Sequence, residues 1–277
     1  MLPNLVIIGA MKCGTTSLHY YLGLHPEISM SQQKELNFFI EKKKWKKGLD
    51  WYKSHFQEKN KILGESSPNY TSFTQFPGVP QRMHAIIPQT KLIYLVRDPI
   101  ERMIAHYVHQ YSRGSENRNI EEALTTADNN FYLDRSLYYS QVSCFLDYFD
   151  GSQLLIMSAE ALRQDTSNAL KKIFKFLEVE TDFDSLQFKY QRHKSTRKRR
   201  KTPLGESIAN LPVMQNLKKM PQRLRWPIEE FIYFPVSKPI ARPSLSERTR
   251  HHLKQKLKED IEKFKRIAEY DFPSWNI

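Results

Sequence analysis

The chain has 277 residues, 40% of them hydrophobic, so it can bury a large core in one domain and is not an intrinsically disordered protein. Its formal charge of +13 favours anionic partners such as nucleic acid, glycans, acidic lipids or phosphorylated cofactors, without choosing among them. Two cysteines are too few for a disulfide framework or a zinc site, and no apolar run approaches the roughly 20 residues of a membrane helix.

The first predicted element is a β-strand at residues 5–8, a short apolar and mostly β-branched run that is typical of a parallel strand buried on both faces. Because this strand begins almost at the first residue, we expect no signal peptide. The sequence therefore predicts a soluble, cytoplasmic protein in which Cys13 and Cys144 are free thiols.

A glycine-rich loop, residues 9–17, follows this strand and leads into a helix that should begin near Thr16. At such a junction, backbone N–H groups and the helix N-terminus hold phosphate groups. Gly9 and Gly14 let the backbone approach an anion, and Lys12 adds a positive charge. Hydroxyl donors follow at Thr15, Thr16 and Ser17. The spacing is not that of an ATP- or GTP-binding P-loop, whose lysine follows the second glycine. The alternative is an ordinary strand–turn–helix.

A second buried strand is predicted at residues 92–96, beyond a lysine-rich segment at 41–61 that fits no element. Arg97 closes this strand. Because ligands gather at the carboxyl ends of parallel strands, Arg97 should meet the same ligand as the glycine-rich loop, and its planar fork suits a phosphate. The alternative is a surface arginine paired with Asp98 or another carboxylate.

The clearest helix should begin after Asp98, a good N-cap, with Pro99 at the first helical position and Glu101 where a capping box has its acid. Its apolar face consists of Ile100, Met103, Ile104, Tyr107, Val108 and Tyr111. The opposite face carries Arg102, Ala105, His106 and His109. His109 either looks into a cleft or, as for most lone helical histidines, is structural or solvated.

The rest of the chain continues the alternation of strands and helices. A third strand is predicted at residues 154–157, with helices at about 138–149, 166–178 and 246–268. This order predicts an α/β fold, a three-layer sandwich with a central, mainly parallel sheet flanked by helices, and one domain over residues 1–277. The basic segment 189–205 looks like a long loop. It could be solvated, a nuclear-localisation-like tract or a nucleic-acid patch.

Two of these segments carry a family resemblance. Residues 7–18 resemble the 5′-phosphosulfate loop of sulfotransferases that use 3′-phosphoadenosine-5′-phosphosulfate (PAPS), and residues 92–102 resemble their 3′-phosphate motif, a strand that ends in Arg-Asp-Pro. The resemblance is closest to the heparan sulfate N- and 3-O-sulfotransferase branch, and residues 136–138 and 272–275 extend it over the whole chain. It implies a P-loop-like fold and PAPS as the co-substrate.

The same resemblance implies roles for individual residues. Lys12 would contact the phosphosulfate and stabilise the leaving phosphate, while Arg97 would bind the 3′-phosphate. Glu35 matches the general base and His109 a histidine near the site. The implied cofactor-binding set is Lys12, Cys13, Gly14, Thr15, Thr16, Ser17, Arg97, Ala105, Tyr138, Arg197 and Lys198. The last two lie in the basic segment, which in the family closes over the 3′-phosphate.

Two positions depart from the family pattern. Ala105 stands where a serine usually binds the 3′-phosphate, which removes a hydrogen bond to a charged group worth about 1.5–3 kcal/mol. Ser66 follows Glu65 where the heparan enzymes have a lysine near the acceptor. The resemblance therefore does not extend to a heparan-type acceptor specificity.

The function that the resemblance implies is transfer of the sulfuryl group of PAPS to a hydroxyl or amine of a small-molecule or glycan acceptor, without a metal and without a nucleic-acid partner. Two alternatives remain at this point. A phosphoryl transferase would use residues 92–98 as a magnesium-binding strand, although Asp98 is better explained as a helix cap. A binding protein for nucleotides or anionic polymers would explain the charge but not the glycine-rich loop.

Overall fold

The fold is taken from a computed structural model, which describes residues 1–56, 60–126, 130–189, 198–217, 220 and 222–277. Its centre is a five-stranded sheet in which every neighbouring pair is parallel. The strand order is β2–β3–β1–β4–β5. The strands are β1 Leu5–Gly9, β2 Ile28–Met30, β3 Ile62–Ser66, β4 Lys91–Val96 and β5 Leu154–Ser158. Helices pack on the sheet, which confirms the predicted α/β sandwich.

Three of these strands match the sequence predictions at 5–8, 92–96 and 154–157. β1 and the apolar part of β4 are buried throughout because they lie at the middle of the sheet, with helices on either face. The sequence did not reveal β2, which has three residues, or β3, which reads Ile-Leu-Gly-Glu-Ser. A strand that ends in buried polar residues lacks the continuous apolar run on which the prediction relied.

The α-helices of the described residues follow in chain order. They are α1 Thr15–Leu22, α2 Gly48–Lys53, α3 Val79–Ile86, α4 Pro99–Ser112, α5 Ile120–Thr125, α6 Phe131–Asp134, α7 Tyr138–Leu146, α8 Ala159–Gln164, α9 Thr166–Leu177, α10 Pro203–Ala209, α11 Pro212–Leu217, α12 Gln222–Tyr233 and α13 Glu247–Ala268. The predicted helices at 138–149, 166–178 and 246–268 correspond to α7, α9 and α13.

The predicted start of α4 is confirmed, since the Asp98 side chain accepts a hydrogen bond from the N–H of Glu101 at 2.9 Å. The Glu101 side chain takes no part in a capping box. It instead lies 3.5 Å from the guanidinium of Arg97 and contacts Arg242. The acid at this position therefore serves the end of β4 rather than the helix terminus.

The second face of α4 is not the polar surface that its sequence suggests. Arg102 and His106 are 0% and 1% exposed, and Ala105 is 6% exposed. The Arg102 guanidinium donates to the Ser136 hydroxyl at 2.7 Å and to the Tyr132 carbonyl at 2.6 Å. Periodicity located the apolar face, but the segment around α6 covers the other side and supplies the polar partners that a buried arginine requires.

Beyond residue 197 the chain is more ordered than the predicted long loop at 189–205. Residues Arg199–Lys201 form β6, which pairs antiparallel with β7, Ser237–Pro239, and α10 follows at once. Residues 190–197 lie outside the described part. In the lysine-rich segment at 41–61, a 3₁₀ turn leads into α2. Among the residues described, no helix is both long and apolar enough to span a membrane.

Candidate active site

The glycine-rich loop joins the carboxyl end of β1 to α1. Gly14 has a φ of 95°, in the left-handed region that favours glycine, and a side chain at Gly9 would place its Cβ 2.5 Å from the Thr71 hydroxyl oxygen. No side chain caps α1, and no described group accepts a hydrogen bond from the N–H of Gly14, Thr15 or Thr16. These N–H groups, at the positive end of the helix dipole, are available to an anion.

Cationic side chains from distant parts of the chain meet beside this loop. Lys12, whose φ is 72°, lies close enough to Lys198, just before β6, for the charge of Lys198 to lower its pKa. The Nζ atom of Lys198 lies 2.6 Å from Nδ1 of His109, on α4. Arg113 and Lys34 are also close enough for their charges to lower the pKa of Lys12. Positively charged side chains therefore lie close together beside the loop, and a bound anion would reduce the repulsion between them.

The pKa values of this cluster reflect its crowding. Burial lowers the pKa of Lys12 from 10.5 to about 7, and the charges of Lys198 and Arg113 act in the same direction, whereas Glu35 opposes them. Burial and Arg113 lower the pKa of Lys198 to about 8. Burial, followed by the charges of Lys12 and Lys198, lowers the pKa of His109 to about 3. His109 is therefore a neutral imidazole near pH 7 and accepts from Lys198 through Nδ1.

These lysines make the stability of the protein depend on pH. In the unfolded chain a lysine keeps its ordinary pKa of 10.5, so between about pH 7 and 10.5 the unfolded chain binds more protons than the folded one. The free energy of unfolding should therefore rise with pH in this window. Urea unfolding of the wild type and of Lys12→Met at about pH 7.5 and about pH 9.5 measures this rise. We expect a smaller rise in Lys12→Met. An equal rise in both proteins would contradict the lowered pKa of Lys12.

A second corner of the site lies at the end of β4. The side chain of Arg97 is 13% exposed and lies 3.5 Å from the Glu101 carboxylate and 3.9 Å from that of Glu160. Its Nε is buried and has no hydrogen-bond partner among the described residues. This Nε is the guanidinium atom that lies 3.9 Å from Glu160, so it forms an ion pair with that carboxylate without a hydrogen bond. The two carboxylates hold the guanidinium in place and leave it donors for a phosphate.

Two of the predicted cofactor-binding residues lie beneath the site. Tyr138 is 0% exposed, and its hydroxyl donates to the Arg97 carbonyl at 2.7 Å and lies 3.8 Å from Sγ of Cys13. Cys13 is 1% exposed, and burial raises the pKa of its thiol to about 12. The Tyr138 ring packs against Phe264 and Trp275. Both residues thus join the loop to the end of β4 and brace the two corners.

The remaining predicted cofactor-binding residues are distributed as follows. Thr15 and Ser17 are buried at the start of α1, while Thr16 is half-buried and Gly14 exposed. Ala105, buried within α4, has no side-chain hydrogen-bonding group, so the expected serine contact is not replaced at that position. Arg197 lies outside the described residues.

Glu35, the predicted base, lies on the segment between β2 and α2. Its side chain is 50% exposed and forms an ion pair of 3.0 Å with Lys34. Its charge acts on the pKa of Lys12, Lys43 and Arg135, raising each. Glu35 is thus a half-exposed carboxylate beside the glycine-rich loop, surrounded by cations and open to an incoming molecule.

Asp98 is fully used in maintaining the structure. One carboxylate oxygen accepts from the Glu101 N–H at 2.9 Å and the other from the Asn276 N–H at 3.0 Å. This confirms the helix-cap interpretation. It argues against the magnesium-binding alternative, because both carboxylate oxygens of Asp98 already accept hydrogen bonds. Among the described residues, no cluster of three or more His, Cys, Asp and Glu side chains is arranged to hold a metal ion.

Sequence reasoning missed Arg135, which connects the site to the segment after β3. Its Nη1 lies 2.8 Å from Sδ of Met11 in the glycine-rich loop and donates to the Asn69 side-chain oxygen at 3.2 Å. Its Nη2 donates to Gln75 at 2.6 Å, and burial lowers the pKa of the guanidinium to about 10. All of these partners are at least 60 residues away along the chain, so no local pattern could have revealed them.

The amino-acid sequence matches the family model described as "Sulfotransferase domain" over residues 2–221. One curated relative is the membrane-associated sulfotransferase kil1 of Dictyostelium discoideum, 39% identical over 111 residues, which cover 38% of this chain and 22% of kil1. Another is the human bifunctional heparan sulfate N-deacetylase/N-sulfotransferase 2, 30% identical over 198 residues, which cover 64% of this chain and 22% of that protein. The chain thus spans about a fifth of the length of the curated relatives it matches.

Among solved structures, a sulfotransferase from Alicyclobacillus acidocaldarius superposes with a TM-score of 0.72 and covers 100% of both chains at 21% sequence identity. At that identity the likeness speaks for the fold alone. It extends to the residues beyond 221, which the family model does not match.

Proposed function

This chain belongs to the sulfotransferase family, and from that premise we propose that it transfers the sulfuryl group of PAPS to a hydroxyl or amine of an acceptor. The observation that carries the proposal is the meeting of Lys12 and Lys198, whose pKa values are lowered to about 7 and about 8, at a loop whose N–H groups are available to an anion. Such a site is electrostatically costly until an anion occupies it.

The residues fit a ligand with two separate anionic ends. The Gly14, Thr15 and Thr16 N–H groups and Lys12 would hold the 5′-phosphosulfate, and the guanidinium of Arg97, which Glu101 and Glu160 hold in place, would hold the 3′-phosphate. When bound, PAPS supplies the sulfuryl group and a bisphosphate leaving group. Lys12 would neutralise the charge that develops on the bridging oxygen.

Glu35 is the proposed general base, which takes the proton from the acceptor. Its support is the open position beside Lys12, where a half-exposed carboxylate can reach an incoming hydroxyl or amine. His109, neutral and tied to Lys198, would keep that lysine directed at the transferred group. A base is needed at this point because a neutral nucleophile must lose its proton during the transfer.

For the acceptor we propose a glycan. The human relative is named for heparan sulfate, and the lysines around Glu35 suit an acidic sugar chain. Ser66, in the place of the family's lysine, is buried in β3, so the contacts to the acceptor should differ from those of the heparan enzymes. Whether the atom that is sulfated is oxygen or nitrogen is left open by this proposal.

We also propose that residues 1–277 form one sulfotransferase domain. Its support is the packing of α13 on α7 and α4 and the bond from the Asn276 N–H to Asp98, which tie the end of the chain to the predicted 3′-phosphate corner. A cytoplasmic location, expected from the sequence, is retained as a prediction only, since one relative is named as membrane-associated.

The proposal is tested by thermal unfolding with adenosine 3′,5′-bisphosphate, with AMP, or with ATP and magnesium. At 100 times its dissociation constant, a ligand adds about 2.7 kcal/mol to the free energy of unfolding, which in a chain of this size raises Tm by about 5 °C or more. We expect the bisphosphate to raise Tm more than AMP does. A rise only with ATP and magnesium would favour a phosphoryl transferase, and no rise with any nucleotide would contradict the proposal.

Arg97→Ala should remove the preference for the bisphosphate over AMP, because it removes the proposed contact to the 3′-phosphate. Arg163→Ala is the matched control. Arg163 also forms an ion pair with Glu160, at 3.4 Å, but its side chain is 44% exposed, whereas that of Arg97 is 13% exposed. If both variants lost the preference, general charge rather than a specific contact would be responsible.

A further inference from the structure

Glu65 is a buried carboxylate that no role described so far uses. It lies in β3, is 0% exposed, and accepts three short hydrogen bonds from hydroxyl groups. Tyr52 and Tyr70 donate to Oε1, each at 2.8 Å, and Ser67 donates to Oε2 at 2.6 Å. No lysine or arginine of the described residues forms a salt bridge with it. Burying such a group is costly unless hydrogen bonds satisfy it, and here hydroxyl groups do so.

Two of these hydroxyl groups also accept hydrogen bonds from the segment that carries Glu35. The Ser67 oxygen accepts from the N–H of Asn37 at 3.0 Å, and the Tyr70 oxygen accepts from the N–H of Phe38 at 3.0 Å. The Tyr52 oxygen makes no such bond in the described structure, although its ring stacks on Phe38 at 4.3 Å. The network thus runs from Glu65 through two hydroxyl groups to the backbone next to Glu35.

The backbone of that segment needs such support. Glu35 and Asn37 have φ values of 62° and 51°, in the left-handed region, which costs a side-chain-bearing residue about 1–2 kcal/mol. The Glu35 N–H donates to the Ser66 carbonyl at 2.9 Å, and the side-chain amide of Asn37 donates to the Glu35 carbonyl at 2.8 Å. Every one of these bonds fixes the direction from which the Glu35 side chain leaves the backbone.

We propose that Glu65 is a positioning residue, which, through Ser67 and Tyr70, holds the 35–38 backbone so that the Glu35 carboxylate faces the acceptor. This inference rests on the proposed function, in which Glu35 is the base. Burial raises the pKa of Glu65, and the hydrogen bonds from Ser67, Tyr70 and Tyr52 oppose this rise. The ionised carboxylate only accepts, so each hydroxyl that touches it must donate to it. The hydroxyl lone pairs are then left for the N–H groups of Asn37 and Phe38, and the polarity of the whole network is fixed by one charge.

The chain offers a matched pair of variants. Tyr52 and Tyr70 are both fully buried and both donate to the same Glu65 oxygen at the same distance, but only Tyr70 also holds the segment. Turnover is measured as bisphosphate release from PAPS in the presence of an acidic oligosaccharide of uronic acid and partly N-acetylated glucosamine, which offers both hydroxyls and amines. This readout counts transfer to glycan and to water alike. Tyr70→Phe should lower kcat about tenfold, since small misplacements of reacting groups are costly. Tyr52→Phe should change kcat less than twofold, and the bisphosphate dissociation constant should be unchanged in both.

Coupling to Glu35 separates positioning from a general loss of stability. In a Glu35→Gln background, Tyr70→Phe should lower kcat no further, because the group that it positions is already gone. A further tenfold loss in that background, or an equal loss of kcat in Tyr52→Phe and Tyr70→Phe, would overturn the inference. If Glu35→Gln alone kept full activity, the proposed base would be wrong and the inference would fall with it.

Ser67→Ala provides a second route if Tyr70→Phe does not fold. It frees the N–H of Asn37 and removes one donor to Glu65. We expect the same pattern, a lower kcat with an unchanged bisphosphate dissociation constant and no further loss in Glu35→Gln. Glu65→Gln should also lower kcat, since the new amide would place a donor against these hydroxyls. Unchanged kcat in both Ser67→Ala and Glu65→Gln would overturn the inference.

Discussion

Replacing Glu35 with glutamine should lower kcat by about 10²–10⁴-fold, the usual contribution of a general base. Glutamine keeps the size of the side chain but cannot take a proton. The hydrogen bonds that hold the segment run from the Glu35 N–H to the Ser66 carbonyl and from the Asn37 side-chain amide to the Glu35 carbonyl. Neither bond involves the Glu35 side chain. The variant should therefore fold normally and bind adenosine 3′,5′-bisphosphate as the wild type does.

The measurement is bisphosphate release from PAPS with the same acidic oligosaccharide, together with bisphosphate binding by thermal shift. Glu41→Gln is the matched control. Glu41 is an exposed carboxylate six residues along the same segment, 3.9 Å from Arg82, and its loss should leave kcat unchanged. Full activity in Glu35→Gln would show that another group takes the proton, and an equal loss in both variants would point to surface charge.

The parts of the fold that the sequence predicted are those in which local pattern and tertiary environment agree. β1, β4 and β5 are apolar runs. β1 and the apolar part of β4 are buried throughout, whereas β5, at the edge of the sheet, is half-buried over its first three residues. The start of α4 was predictable because the Asp98 side chain caps the helix by accepting a hydrogen bond from the N–H of Glu101, only three residues away. The glycine-rich loop was predictable for the same reason, since its glycines and Lys12 act within nine residues.

What the sequence could not reveal depends on contacts between distant segments. Lys198 and His109 are 89 residues apart, and Arg135 and its partner Gln75 are 60 apart. Neither pair leaves a periodic or spaced pattern. The buried polar end of β3 was missed because Glu65 is stabilised by hydroxyl groups rather than by a neighbour of opposite charge. Sequence patterns therefore reveal little about the buried charged groups of this site.

Tyr138 has structural contacts that its sequence segment did not predict. Its segment was expected to hold the nucleotide, and its hydroxyl is in fact bonded to the backbone of Arg97 and close to Cys13. The C-terminal residues brace it further, through the ring of Trp275 and the bond from Asn276 to Asp98. A contact between Tyr138 and the nucleotide stays a prediction, and its place between the two corners of the site gives it a second way to affect nucleotide binding.

Replacing Lys12 with alanine should have the second large effect, a loss of about 10²–10³-fold in kcat, as for other groups that stabilise developing charge. Binding of adenosine 3′,5′-bisphosphate should also weaken, by about 1.5–3 kcal/mol for one charged hydrogen bond. Lys12→Arg is the matched control, because it keeps the positive charge on a longer side chain and should retain most of the affinity. Equal affinity in the alanine variant and the wild type would show that Lys12 does not contact the phosphate.

The pH dependence of this binding has a definite sign. In the free protein the pKa of Lys12 is about 7, and a phosphate beside it must raise that pKa, so binding above pH 7 takes up a proton. The affinity of the wild type for the bisphosphate should be greatest below pH 7 and fall by up to about tenfold per pH unit between pH 7 and pH 8. Above pH 8 the fall should be steeper, because Lys198 then loses its proton as well. In Lys12→Arg this fall should be weaker, because arginine stays charged, and only the titration of Lys198 near pH 8 should remain. A wild-type affinity that did not change between about pH 6.5 and pH 8.5 would mean that neither lysine titrates on binding, and the anion would have to be held by the N–H groups of α1 and by Arg97 alone.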